Sequence, residues 1–352
     1  MNHNDRKSEN INADIAKVLQ ESGFLRNSDR IEPISGFSAS HRHYFRIQSS
    51  GEDSVILCLD NQLSEKMLEK FKVIDDLFTQ LPVKIPSLIH ADTRLKFLLR
   101  EDAGKLSLQQ LISESGDKSK TFTEFTENKV LPLYKKIWAF EDEDLPDLDS
   151  FALSKFFFEW EFHTNSQLVQ NFIQRKLAPG FWEIIISRLF QYFSRSLQTN
   201  AVPIHRDFQS SNLFLKDDHL YVIDFQDMYL GHPLYDPVSW IFDSYIDLPL
   251  DFRFQYLDNI ILKYAPQIDE LRETDQLKQE GLFLVIQRKL HDAGAFVFAN
   301  EQLNANYFLP YIKPAIQMAA AAAERLNDKT LILFTRALQF PEQEDQTRGV
   351  FW

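Results

Sequence analysis

The sequence predicts an α+β chain in two lobes. A small N-terminal lobe over residues 1–101 is built on an antiparallel sheet, and a larger, mostly helical lobe spans residues 102–352. Three observations predict this. The first hundred residues hold several short strand-like runs around one long amphipathic pattern. After Gly104 nearly every patterned segment has helical spacing. Between the helices a single polar loop and hairpin carry the densest set of chemistry-bearing side chains.

The elements follow in order. Glu9 to Glu21 is expected to be an amphipathic helix through Ile11, Ile15, Val18 and Leu19. Strands are expected over Ile31 to Ile34, His43 to Gln48 and Ser54 to Leu59, with the turn-forming run Ser35-Gly36-Phe37-Ser38-Ala39-Ser40 between the first two. Ser64 to Phe78 reads as a helix with Met67, Leu68, Phe71, Ile74 and Leu77 on one side, ended by Pro82 and Pro86. Two more strands are expected, at Ser87 to His90 and Lys96 to Arg100. Helices are then expected over Thr123 to Phe140, Phe151 to Leu168, Gly180 to Leu197, Leu234 to Tyr245, Phe252 to Tyr264, Asp275 to Ala299 and Tyr307 to Leu326. The run Ala319 to Ala323 implies close helix packing.

Composition narrows the class. The chain has 352 residues, 44% hydrophobic and 25% charged, which describes a packed globular protein and excludes general disorder. Its 31 phenylalanines favour aromatic cores between helices. A formal net charge of −13 disfavours nucleic acid and anionic membranes, and leaves a small molecule as the expected partner. The single cysteine, Cys58, sits in an apolar run; no intramolecular disulfide can form, and a small core residue in a reducing cytoplasm is expected. The first residues lack an apolar h-region and no stretch is long enough to span a bilayer, so a cytoplasmic monomer is expected. Six carboxylates between Glu141 and Asp149 read as a solvated loop, with a substrate cradle as the alternative.

The run His205-Arg206-Asp207-Phe208-Gln209-Ser210-Ser211-Asn212, followed by Val222-Ile223-Asp224-Phe225, supplies three polar groups at the spacing phosphoryl transfer requires. Asp207 can accept the proton of an attacking hydroxyl. Asn212 can turn its amide oxygen to a magnesium ion, and Asp224 can bind the same metal between phosphates. This is the H-x-D-x-x-x-x-N loop of protein-kinase-like enzymes, with Gln226 in place of the glycine of D-F-G. The form resembles the aminoglycoside phosphotransferase and choline kinase superfamily.

Further segments resemble one branch of it, the bacterial anomeric N-acetylmuramate/N-acetylglucosamine kinases. They are Ala39-Ser40-His41-Arg42-His43-Tyr44-Phe45-Arg46-Ile47, and Asp224-Phe225-Gln226-Asp227 with Gly231-His232-Pro233 and Tyr235-Asp236-Pro237-Val238-Ser239. Gln287-Arg288-Lys289-Leu290 with Gly294 and Phe296, and more weakly Phe157-Phe158-Glu159-Trp160, complete the set. The resemblance covers residues 35 to 320 and implies a two-lobed protein-kinase-like fold and an ATP- and Mg2+-dependent kinase acting on an amino sugar. Aminoglycoside, choline and homoserine kinases of the same superfamily are the alternatives, with a non-catalytic nucleotide-binding module as the rival from another class.

Roles follow for single residues. Asp207, Asn212 and Asp224 are the expected catalytic set, with Asn212 and Asp224 on the metal. Gly36, Ser38 and Ser40 offer backbone N–H groups and hydroxyls to phosphates, with an ordinary hairpin turn as the alternative; Glu101 joins the nucleotide set. The third strand, Ser54 to Asp60, carries no basic residue where protein kinases have a lysine; Arg42 and Arg46 are the expected substitutes, with plain surface hydration as the alternative. His205 is expected to tie the loop to the segment around Asp224, and Asp236 to accept from the loop backbone or cap its helix. His41 and His43 are expected to face solvent. Arg288, with Glu159 and Asp227, is expected at the acceptor; the alternative for Arg288 is pairing with an acidic side chain while its stem packs between helices.

Overall fold

A computed structural model of the chain describes residues 13–34, 42–49, 53–149, 168–173, 184–185, 187–188, 201–270, 272–303 and 305–339. The chain divides into two compact units, Met1–Lys105 with Phe214–Gln226, and Leu106–Leu213 with Asp227–Trp352.

In the first unit, helix α1 (Ala13–Glu21) precedes a five-stranded sheet of order β1-β2-β3-β5-β4, antiparallel throughout. The strands are β1 (Arg30–Ile34), β2 (His43–Gln48), β3 (Val55–Leu59), β4 (Leu88–Asp92) and β5 (Phe97–Glu101). Strand alternation sorts the side chains into two faces. Phe45, Ile47, Leu57, Phe97 and Leu99 cluster with Ile15 and Leu19 of α1 and with Leu25. Tyr44, Arg46, Ile56, Cys58, Leu98 and Arg100 belong to the other face. The register sets Ile56 opposite both Arg46 and Arg100, so arginines on β2 and β5 flank a third strand that has none. Helix α2 (Glu65–Thr79) starts at Ser64, whose hydroxyl accepts from the Met67 N–H, and buries Phe71, Ile74, Leu77 and Phe78.

The hairpin of strands Leu213–Lys216 and His219–Val222 groups with this unit from Phe214 onward, although the sequence reading assigns it to the second lobe. Backbone pairing explains it: Lys84 N–H donates to Leu220 O, and Val222 N–H to Lys84 O, both at 2.8 Å. Tyr221 Oη donates to Glu101 at 2.7 Å, and the Phe225 ring lies 6.1 Å from Phe71 and 6.3 Å from Phe78.

The second unit is mostly helical. Its first helix, α3 (Leu108–Ser113), was not expected, yet Ser107 and Gln110 form a reciprocal capping box that marks its start. The single helix expected over Thr123 to Phe140 is broken into α4 (Lys118–Phe125), a π turn over Thr126–Val130 and α5 (Leu131–Ile137). Pro132 has no N–H to offer the preceding turn, and Thr126 Oγ1 bonds back to Phe122 O at 2.7 Å. The same hydroxyl accepts from Trp240 Nε1 at 2.8 Å.

Helices α6 (Tyr235–Ile241), α7 (Leu250–Ile268), α8 (Thr274–Leu303), α9 (Leu309–Leu326) and α10 (Lys329–Leu338) complete the described set. The alanine run of α9 is buried at Ala319, Ala320, Ala322 and Ala323 and packs closely on α8. The unexpected α10 follows α9 without a loop, because Asn327 takes a left-handed φ of 56° and Asp328 caps the next helix through Thr330 and Leu331. The helices expected over 151–168 and 180–197 fall almost entirely outside the described residues, as do residues 9–12 of the first. Among the described residues no helix is long and apolar enough to cross a membrane.

Candidate active site

The second unit builds Asp207 into a loop fixed on every side. Strand Val202–Ile204, paired antiparallel with Tyr229–Gly231, delivers the chain to His205. Asp236, the second residue of α6 and fully inside it, accepts from the His205 N–H at 2.6 Å and the Arg206 N–H at 3.0 Å. Of the two roles expected for Asp236, the geometry is that of the loop acceptor, since the helix cap position is Leu234. The His205 ring is buried edge-on to Phe208, 6.0 Å between centroids. Arg206 takes a φ of 74°, a left-handed conformation that costs a branched or long side chain on the order of 1–3 kcal/mol and concentrates at functional sites.

The far side of the loop is held by acids that the sequence reading did not single out. Asp243 accepts from the Ser210 N–H at 2.6 Å and the Tyr245 N–H at 2.8 Å. Asp292 accepts from Gln209 Nε2 at 3.4 Å and Ser244 Oγ at 3.2 Å, and is paired with Lys289, which is wholly buried. The buried Arg253 guanidinium holds the carbonyls of Ile241, Ile246 and Leu248, and so shapes the turn that carries Asp243 and Ser244. The helical spacing of Arg288, Lys289 and Asp292 was the one sequence signal for this cluster.

Asp207 itself meets Arg288. Arg288 Nη2 donates to Asp207 Oδ1 at 2.6 Å and lies 3.1 Å from Asp292 Oδ1. The Arg288 side chain is 4% exposed, against 42% for Asp207. Arg288 therefore pairs with acids in the interior, the second of the two roles the sequence allowed, and is not presented outward as an acceptor-binding cation. Desolvation opposes the Asp207 charge, but Arg288, and after it His291, Arg206 and His205, hold the carboxyl well below the usual carboxylate range. Asn212, on a 3₁₀ turn over Ser210–Asn212, donates Nδ2 to Asp207 O at 2.9 Å. That bond orients the amide and leaves its oxygen for another partner. Asp227 ends a short 3₁₀ turn, Phe225–Asp227, and is exposed.

The first unit carries Asp224, at the end of the hairpin, with a φ of 63° and a side chain 41% exposed. Its Oδ1 accepts from Gln226 Nε2 at 2.8 Å and lies 3.6 Å from Arg42 Nη1. Arg42 donates Nε to the buried Asp60 at 2.9 Å. The two cations proposed for phosphate are thus engaged with acids. Arg46 pairs with Asp102 at 2.5 Å and 3.1 Å, and donates to Gly104 O at 3.0 Å, so it braces the end of the sheet. The Glu101 carboxylate is likewise taken up by Tyr221, by Ser87 Oγ at 3.1 Å and by Lys216 at 3.6 Å, and ties the hairpin to β5. Gly36, Ser38, Ser40, His41 and Glu159 lie outside the described residues; His43 is exposed.

Arg100 is the cation that sequence reasoning passed over. It follows the apolar run Phe97 to Leu99 of β5, just ahead of Glu101, and its guanidinium sits 4.6 Å from the Phe71 ring and 4.9 Å from Phe225. Nη1 donates to Pro86 O at 2.9 Å, whereas Nη2 is buried with no hydrogen-bond partner. Burial lowers its pKa, offset in part by Asp75.

Asn212 in the second unit carries an amide oxygen and Asp224 in the first a carboxylate oxygen, each by itself a hard donor of the kind magnesium takes from protein. Residues 134–274 match the phosphotransferase enzyme family. The chain carries a phosphotransferase domain. It is 26% identical over 268 residues to the N-acetylmuramate/N-acetylglucosamine kinase of Neisseria meningitidis serogroup B, covering 73% of this chain and 75% of that protein. To the kinase of the same name from Pseudomonas putida it is 28% identical, over 60% of this chain and 59% of the relative. Among solved structures, the gentamicin complex of aminoglycoside phosphotransferase APH(2'')-IIa matches with a TM-score of 0.55 at 14% identity, over 92% of this chain and 99% of that one. The Plasmodium vivax ethanolamine kinase matches with a TM-score of 0.54 at 15% identity, over 88% and 87%. The phosphotransferase's fold is therefore the protein-kinase-like one, an antiparallel five-stranded sheet followed by a mostly helical remainder.

Proposed function

We propose that the protein transfers the γ-phosphoryl group of ATP to the anomeric hydroxyl of N-acetylmuramate or N-acetylglucosamine, in the recycling of cell-wall sugars. One observation carries the reading: Asp207 heads the loop as a half-open carboxylate kept ionised by Arg288. Phosphoryl transfer passes through a loose transition state, so the nucleophile needs orientation more than early deprotonation. An acceptor bound at Asp207 donates its hydroxyl hydrogen to the carboxylate. The oxygen attacks γ-phosphorus in line, the bond to the ADP oxygen breaks, and the proton passes to Asp207 late.

An ionised carboxylate is a weak base. The anomeric hydroxyl is the most acidic of a sugar's hydroxyls, because its oxyanion lies beside the ring oxygen, and it is the one such a base serves best. The relatives that share this name support the same choice of acceptor. Asn212 and Asp224 would hold magnesium, which neutralises phosphate charge when bound. Asp236, Asp243 and Asp292 keep the loop in one conformation, so that little is lost in ordering it during the reaction.

The test is ADP release with ATP and magnesium over a panel of N-acetylmuramate, N-acetylglucosamine, aminoglycosides, choline and homoserine, with phosphorus NMR of the product. Turnover with an N-acetylated amino sugar and a sugar 1-phosphate signal is the expected result. Turnover confined to the other acceptors, or none at all, would overturn it.

A further inference from the structure

Arg288 takes one oxygen of the carboxylate on which the proposed reaction depends, and the surroundings explain why it stays there. Its side chain is 4% exposed and lies on the interior side of Asp207, whose own side chain is 42% exposed. The Nη2 that donates to Asp207 Oδ1 at 2.6 Å also lies 3.1 Å from Asp292 Oδ1, one turn along the same helix. Asp292 is in turn fixed by Lys289 and Ser244. A guanidinium between two anchored carboxylates cannot swing outward without leaving buried charge uncompensated. Among the described residues Asp207 Oδ2 accepts no hydrogen bond.

We propose that Arg288 is a positioning residue: it locks Asp207 through Oδ1 and leaves Oδ2 as the single oxygen that meets the acceptor hydroxyl. The proposal rests on the phosphotransfer reading above. It assigns to the interior a charge that the sequence alone placed against the substrate. A bidentate or freely rotating carboxylate would offer the hydroxyl two oxygens in several orientations, and misplacement of a reacting group by about an ångström costs on the order of a hundredfold in rate.

The groups facing Asp207 are Arg288 and His291 from α8, with Asp292 behind Arg288, and His205 and Arg206 from its own loop; Tyr245, in the turn after α6, is near enough for its phenol to feel the carboxylate. Arg288 is the strongest of the cations. Without it Oδ1 loses its side-chain donor and the carboxylate its nearest buried positive charge, while the histidines and Arg206 remain.

The experiment compares Arg288→Met and Arg288→Lys with the unaltered protein, using ATP and N-acetylglucosamine, an acceptor without a charge of its own. For Arg288→Met, kcat is expected to fall ten- to a hundredfold, with the acid limb of its pH profile moved up by at least one pH unit and KM for the sugar changed less than threefold. Arg288→Lys is expected to return the limb only part of the way, because it keeps the charge but not the fork. A loss confined to KM for the sugar would make Arg288 a substrate contact. A loss of kcat with an unmoved acid limb would make it packing alone. Either result overturns the proposal.

Where Arg288→Met does not fold, the Asp207 carboxyl is titrated by carbon NMR in the unaltered protein and in Arg288→Lys, assigned by difference from Asp207→Asn. An upward shift in Arg288→Lys supports the lock, and an identical titration overturns it. This measurement needs no acceptor, so failure of the sugar reading and failure of the lock are told apart.

Discussion

Arg288 Nη2 stands 2.6 Å from Asp207 Oδ1 and 3.1 Å from Asp292 Oδ1, one nitrogen shared between the carboxylate of the loop and a carboxylate of its own helix. With Lys289 on the other side of Asp292, the cluster balances two acids against two bases. The balance is what makes a buried group of this kind tolerable, and it makes each member costly to remove.

Asp292→Ala is therefore expected to destabilise the protein by about 3–5 kcal/mol, since it leaves Lys289 uncompensated in the interior and Arg288 with Asp207 alone. Urea unfolding followed by far-ultraviolet dichroism measures this. A loss under 1 kcal/mol would mean that water or Asp243 takes over the role.

The proposed base and metal roles separate in a pair of variants. Asp207→Asn is expected to reduce kcat by roughly 10²–10⁴-fold while nucleotide affinity stays within a factor of three. Asp224→Ala is expected to weaken magnesium-dependent nucleotide binding, read by calorimetric titration with and without the metal. Equal effects of both variants on nucleotide affinity would contradict this division.

Arg100 is expected to supply the positive charge that β3 lacks. Its Nη2 is buried without a partner, and its place in the register is beside Ile56 of that strand. Arg100→Met should raise the apparent KM for ATP ten- to a hundredfold, the size of a charge-assisted hydrogen bond worth about 1.5–3 kcal/mol. A filler arginine would behave oppositely: removing an unpaired buried charge would raise the melting temperature and leave the ATP kinetics alone.

His232 predicts a pH dependence of stability. Its Nδ1 accepts the Leu234 N–H at 3.0 Å, so Nε2 carries the hydrogen and donates to Glu280 at 3.1 Å, which makes the buried ring neutral. Burial, and after it Arg272, lower its pKa to about 3. The folded value lies below the unfolded one, so the unfolded chain binds the extra proton in between. The stabilisation is complete above about pH 6.5 and is lost as pH falls toward 3, by up to about 1.4 kcal/mol per pH unit. His232→Gln should flatten that part of the stability curve relative to the unaltered protein; an unchanged slope would show that other groups set it.

Much of this was legible in the sequence because it is local. β2 has the bounds that alternation predicts, His43 to Gln48, and α2 begins one residue after the Ser64 hydroxyl that caps it. The proposed catalytic set is legible for the same reason: Asp207, Asn212 and Asp224 are set by spacing along one loop and hairpin. What spacing does not contain is which distant charge a side chain finds. Arg46 reached Asp102, 56 residues away, and Arg288 reached Asp207, 81 residues away. The hairpin's membership of the first unit likewise rests on Lys84 and Glu101, which no pattern around residue 220 announces. The π turn was missed because Thr126 and Pro132 interrupt a helix whose apolar periodicity hardly changes.

Cys58 gives the chain a built-in clock. It is the one sulfhydryl in 352 residues, it lies in the middle strand of the five, and it is 4% exposed. Burial pushes its pKa up to about 12, so the native thiol is chemically silent near neutrality. A thiol-labelling reagent can react only while the sheet is open. The labelling rate then counts openings of the five-stranded sheet alone, in a protein whose helical unit contributes no competing signal, and the slowing of that rate by added ATP would measure binding without any reference to turnover.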